Sequence, residues 1–171
     1  SEAWAGYSTM DGDTSGGLSP IAGIDKAFLL RWLAWMGSTG PDGIGPISEL
    51  AEIPRPSPEL RPRAARQTSE GDLMPYDLLE TIEDLAITGK LAPAEVVRSI
   101  LAQGSPIDRK LLVGHVVKFF RLWCRNQWKR ERYAPSFHLD DHNLDPKTWC
   151  RFPILSSGFE QELAELEAST K

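Results

Sequence analysis

The sequence predicts a mostly helical chain with at most a few short strands. Three observations carry this expectation. Apolar residues recur at helical spacing in several places: Leu78, Leu79, Ile82, Leu85 and Ala86; Val96, Val97, Ile100 and Leu101; and Leu112, Val116, Phe119, Phe120 and Trp123. Helix-start residues stand where these patterns begin, with Asp25, Pro93 and Pro106 as the clearest. The one short apolar run that reads as a strand is 18–24, which stops at Asp25.

Taken in order, residues 11–20 are rich in Gly, Ser, Thr and Asp and read as a loop. The run 18–24 leads into a helix over 27–36 with Asp25 as N-cap. Phe28, Leu29, Trp32, Leu33, Trp35 and Met36 make that helix apolar on most faces, so burial on two sides is expected. The stretch 37–45 stops it, and a short helix is expected over 47–53. Residues 54–75 are proline- and arginine-rich and aperiodic, which predicts a mobile loop; loops of about 20 residues are usually functional or disordered. A helix over 76–87 is capped by Gly89. Pro93 opens the next helix, and Pro106 opens the longest, over 107–132. Residues 134–155 have no period. An acidic amphipathic helix closes the chain at 159–168.

A length of 171 residues suits one domain with a sizeable core. Hydrophobic residues at 41% and charged residues at 25% are ordinary for a globular protein. A net charge of −5 gives no global pull toward nucleic acid or an anionic membrane. No apolar run approaches the ~20 residues of a membrane span, and no signal peptide is evident. Two cysteines, Cys124 and Cys150, make no disulfide framework, which favours a reducing cytoplasm.

The densest chemistry lies at the start: Glu2, then Gly6-Tyr7, Thr9 and Gly12-Asp13. Glu2 on a first helical turn would favour the helix dipole; as a site residue it would serve Mg²⁺ on nucleotide phosphates. Gly12-Asp13 is a turn, or a close backbone approach to a ligand. Lys26 opposes the dipole of the helix it opens, a small conflict that phosphate binding would relieve. Arg121, Arg125, Lys129 and Arg132 form a basic stripe on the long helix, which reads as a solvated face or as an RNA-binding surface with Trp123 and Trp128. His138, His142 and Cys150 lack the paired spacing of a closed zinc site. No Cys–His pairing suggests a thiol nucleophile.

The spacing Glu–x3–Gly-Tyr–x–Thr–x2–Gly-Asp, followed by Ile21-x2-Ile24-Asp25-Lys26, resembles the carboxy-terminal half of ATP-dependent NAD synthetases. Pro56-Ser57-Pro58-Glu59-Leu60 with Gln67-Thr68-Ser69-Glu70-Gly71-Asp72 matches a second signature of that family, and Gln127-Trp128-Lys129-Arg130 a third. Pro135-Ser136-Phe137-His138, Asn143-x-Asp145 and Arg151-Phe152-Pro153 resemble the tail of its larger, glutamine-dependent members. The resemblance implies a mostly helical fragment of an α/β Rossmann-like adenine nucleotide α hydrolase (ATP pyrophosphatase) fold. It implies residues 1–155 as the carboxy-terminal part of the amide-forming domain, 54–75 as a lid and 156–171 as a helical tail.

The activity implied is that of a ligase of NAD biosynthesis, amidating deamido-NAD through an adenylylated carboxylate. ATP and Mg²⁺ are the implied cofactors. Glu2 is the implied metal ligand; Thr9, Lys26 and Ser57 bind ATP; Asp13 and Lys129 bind deamido-NAD. Ammonia would come from glutamine through an amino-terminal glutaminase domain, and a cytoplasmic homo-oligomer is expected. The family's phosphate loop, Ser-Gly-Gly-x-Asp-Ser, is not the Ser15-Gly16-Gly17 seen here, so the chain alone is expected to be inactive. The rival readings are a helical module that binds RNA or a protein partner through the basic stripe, and an oligomerisation piece without ligand.

Overall fold

The computed structural model describes residues 2–12, 14–42, 47, 68–139 and 158–170, without the side chains of Glu2 and Ser69. Among the described residues the elements are all helical, with no strand. They are α1 (Glu2–Ala5), α2 (Lys26–Ser38), α3 (Ser69–Asp72), α4 (Tyr76–Glu83), a π-helical turn (Asp84–Thr88), α5 (Pro93–Ala102), α6 (Arg109–Arg125), α7 (Gln127–Arg130) and α8 (Glu160–Ala168). The chain divides into two compact units, Ser1–Ile24 with Leu79–Lys171, and Asp25–Leu78.

The first unit is built around α6. The expected stripe of Leu112, Val116, Phe119, Phe120 and Trp123 is buried throughout. It meets Val96, Val97 and Ile100 of α5 and Leu163 and Leu166 of α8, and α5, α6 and α8 pack pairwise. Each such side chain contributes roughly 1.5–3 kcal/mol of burial. Phe120 takes edge-to-face contacts from Phe119 and Phe159, with centroids 5.5 and 4.9 Å apart. On the remaining side α1 lays Trp4, fully buried, against α6.

Local chemistry sets the boundaries. Pro93 opens α5 as its spacing predicts, and the Ala92 N–H donates to Glu95 Oε2 at 2.9 Å. The cap of α6 is Asp108, whose Oδ1 accepts from the Leu111 N–H at 3.0 Å, so α6 begins after Pro106 and not directly at it. The long helix expected to run to 132 ends at Arg125. Asn126 leaves helical geometry at φ −99° and ψ 14°, and α7 follows as a single short turn.

Gly89 does not take the left-handed cap conformation expected of it. Its φ is −74°, and its N–H closes the π-helical turn onto Asp84 O at 2.8 Å. A Cβ there would lie 2.7 Å from Leu85 O, so close approach, not a positive φ, is what requires glycine. The expected strand at 18–24 is a succession of turns, with Ala22 N–H on Ser19 O and Ile24 N–H on Ile21 O, around Pro20.

The second unit holds α2, α3 and the start of α4. Asp25 precedes α2 in extended geometry, but its side chain does not cap the helix. Ala27 and Met36 are the buried residues of α2, while Phe28, Trp32 and Trp35 are 50%, 43% and 42% exposed. Burial on two sides is therefore not observed: apolar content alone does not provide a second packing partner. Within 68–75 the chain is not aperiodic loop but one helical turn, α3. Thr68 Oγ1 accepts from the Gly71 N–H at 3.0 Å, and Leu73 and Met74 are buried. The rest of the expected lid, the expected helix over 47–53 apart from Ile47, and residues 140–157 lie outside the described residues.

Candidate functional site

Chemistry converges where α1 ends and the α6–α7 junction passes it. Helix α1 has four residues, so its C-terminal carbonyls need partners from elsewhere. The α6–α7 junction supplies them. Asn126 Nδ2 donates to Ala5 O at 2.6 Å. Lys129 Nζ donates to Gly6 O at 2.9 Å and to Ser8 O at 3.2 Å. Arg130, with no exposed surface, donates from Nη1 to Trp4 O and from Nη2 to Trp123 O. Its Nη2 and Nε also share Gln127 Oε1 at 2.8 and 3.2 Å.

The chain then leaves α1 through Gly6 at φ +63°, a conformation natural to glycine. The loop beyond is closed on itself. The Gly12 N–H reaches Thr9 O at 3.4 Å, the Asp11 N–H reaches Thr14 Oγ1 at 2.9 Å, and Ser15 Oγ donates to Gly12 O at 2.7 Å. Asp11 sits at φ +60° and pairs with Arg132 at 3.6 Å. The acidic loop and the basic end of the long helical segment are thus joined at several points.

Of the expected site residues, Lys129 and Thr9 belong to this assembly, Thr9 exposed on the loop and Lys129 half-buried beneath it. Lys26 is in the other unit, as the first residue of α2, with Nζ 6.0 Å from the Tyr76 ring centroid. Asp13, Ser57 and the Glu2 side chain lie outside the described residues, as do His142 and Cys150. Asn126 and Arg130 carry the geometry but were not singled out as site residues from the sequence. The signals for them were the polar Asn126 inside a long helical pattern and an arginine next to Lys129.

The basic stripe is largely turned to internal use. Arg121 makes a bidentate pair with Glu167, at 3.0 and 2.9 Å, Lys129 holds backbone carbonyls, and Arg132 meets Asp11. The reading as an RNA- or partner-binding helical module is therefore not supported. Cys124 is buried beside Phe159, and burial pushes its thiol up to about 11, against the smaller opposing effects of Arg130 and a backbone hydrogen bond from Phe159. Burial therefore disfavours the thiolate form that a nucleophilic cysteine needs.

Comparison with known proteins now decides the family. The glutamine-dependent NAD(+) synthetase of Aquifex aeolicus is 32% identical over 160 residues, covering 94% of this chain and 25% of the relative. That of Thermotoga maritima is 32% identical over 154 residues, covering 90% of this chain and 24% of the relative. The crystal structure of a glutamine-dependent NAD(+) synthetase from Cytophaga hutchinsonii is 44% identical, with a TM-score of 0.74 over 97% of this chain and 25% of that one. The chain belongs to the glutamine-dependent NAD(+) synthetase family. No family model matches it. It spans about a quarter of the length of the NAD(+) synthetases it matches, and the likeness runs through nearly all of the chain, not through one motif.

Proposed function

We propose that the chain forms part of the nucleotide site of a glutamine-dependent NAD(+) synthetase, a ligase of NAD biosynthesis with an α/β Rossmann-like ATP pyrophosphatase fold. In that reaction the carboxylate of deamido-NAD attacks the α-phosphorus of ATP and pyrophosphate leaves. Ammonia then attacks the acyl carbon, AMP leaves and NAD forms. A glutaminase domain elsewhere in the longer protein would release the ammonia, and the assembly would be a cytoplasmic homo-oligomer.

One observation supports this most. Lys129 is a lysine whose ammonium is held by Gly6 O and Ser8 O, which leaves one of its three N–H donors without a hydrogen-bond partner among the described residues. A fixed cation that among the described residues meets, besides those two carbonyls, only the Trp128 ring, 5.9 Å from Nζ to centroid, and lies under an exposed loop carrying Thr9, suits an anionic or carbonyl group of a dinucleotide. Its placement costs no reorganisation when ligand arrives. Lys26 at the first turn of α2 adds its charge to that helix's N-terminus, which suits phosphate. Glu2, Thr9, Ser57 and Asp13 keep the roles the family resemblance implies: metal, ATP, ATP and deamido-NAD. Mg²⁺ would supply charge neutralisation on the ATP phosphates.

The test is Lys129→Met in the complete synthetase. A charge-assisted hydrogen bond of ~1.5–3 kcal/mol predicts a rise of about tenfold to a hundredfold in the KM for deamido-NAD. Lys26→Ala should instead raise the KM for ATP or lower kcat. Unchanged deamido-NAD kinetics in Lys129→Met would overturn the assignment of that lysine.

A further inference from the structure

We infer that Arg130 is a positioning residue for dinucleotide recognition, acting through Lys129; this rests on the function proposed above. The guanidinium joins three elements at once. It reaches Trp4 O at the end of α1, Trp123 O near the end of α6, and Gln127 Oε1 in α7. Gln127, itself fully buried, is held in turn through its Nε2 by Glu131 Oε1 at 2.8 Å. The indole ring of Trp4 lies under the same cation, 5.8 Å from Cζ to centroid.

Both ends of the Lys129 contact are therefore tied to one group. On one side, Arg130 is the next residue along α7, so its fork sets how that short helix is turned and where the Lys129 stem leaves it. On the other, Trp4 lies two residues before Gly6 and four before Ser8, whose carbonyls receive the Lys129 ammonium. A fully buried cation is costly, and packing alone would be served by an apolar side chain of similar volume. What an apolar side chain lacks is a rigid planar fork of donors able to reach acceptors on three helices together, and a lysine lacks it too. Asn126 secures the same carbonyl row at Ala5 O and is the second member of the clamp.

The experiment is a double-mutant cycle in the complete synthetase, reading KM for deamido-NAD and for ATP separately. Arg130→Lys, which keeps the charge and loses the fork, should raise the deamido-NAD KM about tenfold and leave the ATP KM within about twofold. Combined with Lys129→Met it should be no worse than Lys129→Met alone, because Arg130 acts through that lysine. Effects that multiply, or an unchanged deamido-NAD KM in Arg130→Lys, overturn the inference.

If Arg130→Lys does not fold, Asn126→Ala carries the same cycle with the same two outcomes. Hydrogen exchange at the amides of residues 6–9 separates a ligand-positioning role from a purely structural one. If Lys129→Met has no kinetic effect, the ligand reading falls. Faster exchange at 6–9 in Arg130→Lys would then mark a clamp that only stabilises the fold, and the positioning role falls with the ligand reading.

Discussion

The side chain of Asn126 lies across the backbone of Gly6. Its amide donates to Ala5 O at 2.6 Å, and a Cβ on Gly6 would fall 2.3 Å from Asn126 Cβ. That separation is far inside van der Waals contact, and both atoms belong to parts of the chain with little room to retreat. The Lys129 and Arg130 contacts follow the same line of carbonyls. Close approach at Gly6 is thus what allows residues more than 120 positions apart to form one site.

Gly6→Ala should therefore be severe. It combines left-handed strain of ~1–3 kcal/mol with a clash against Asn126 that only a backbone shift relieves. Gly16→Ala is the control, since Gly16 has φ +98° but nothing within 4 Å of the added Cβ, so it should show strain alone. Urea unfolding of the two variants checks this, and equal losses would remove the clash from the account.

The two aromatic stripes should behave oppositely. Phe119→Ala removes a fully buried ring and should cost about 3–5 kcal/mol. Trp32→Ala removes a larger ring that is 43% exposed on α2, and should cost under about 1.5 kcal/mol. Thermal melts that rank them the other way would mean that α2, and not α6, organises the packing.

Asp108→Ala should cost ~1 kcal/mol, because the Leu111 N–H loses its acceptor at the start of α6. Asp108→Asn should recover most of that, since the amide oxygen accepts the same bond. Chemical denaturation of both variants reads the difference; equal destabilisation would show that charge, not capping, is what Asp108 supplies.

Stability should fall as pH rises from about 9 to about 11, in part through Cys124. The folded thiol keeps its proton up to about 11 because burial disfavours the thiolate, whereas the ordinary value is 9.0. Its contribution is fully present below the ordinary value and lost as pH climbs through the folded one, because the unfolded state ionises first. Unfolding free energy against pH should be flatter over that window in Cys124→Ala than in the parent chain. Parallel curves would exclude the thiol as the source.

Much of the helical framework was legible in the sequence, because a stripe at the 3.6-residue period has only one face to bury. The α6 stripe, Pro93 at the first position of α5 and the closing helix α8 stand where the pattern places them. The family motif around Lys129 was legible too, and the comparisons bear the family out. The break at Asn126, the π-helical turn ending at Gly89, the turns over 18–24 and the exposed face of α2 were not. Each depends on what lies opposite in space, or on nothing lying there. Periodicity also gave no reason to place Lys129 under Gly6 and Ser8 or to bury Arg130 at three helix ends. Only the tertiary structure decided those contacts, because the unpaired carbonyls of a four-residue helix must find donors wherever the fold brings them.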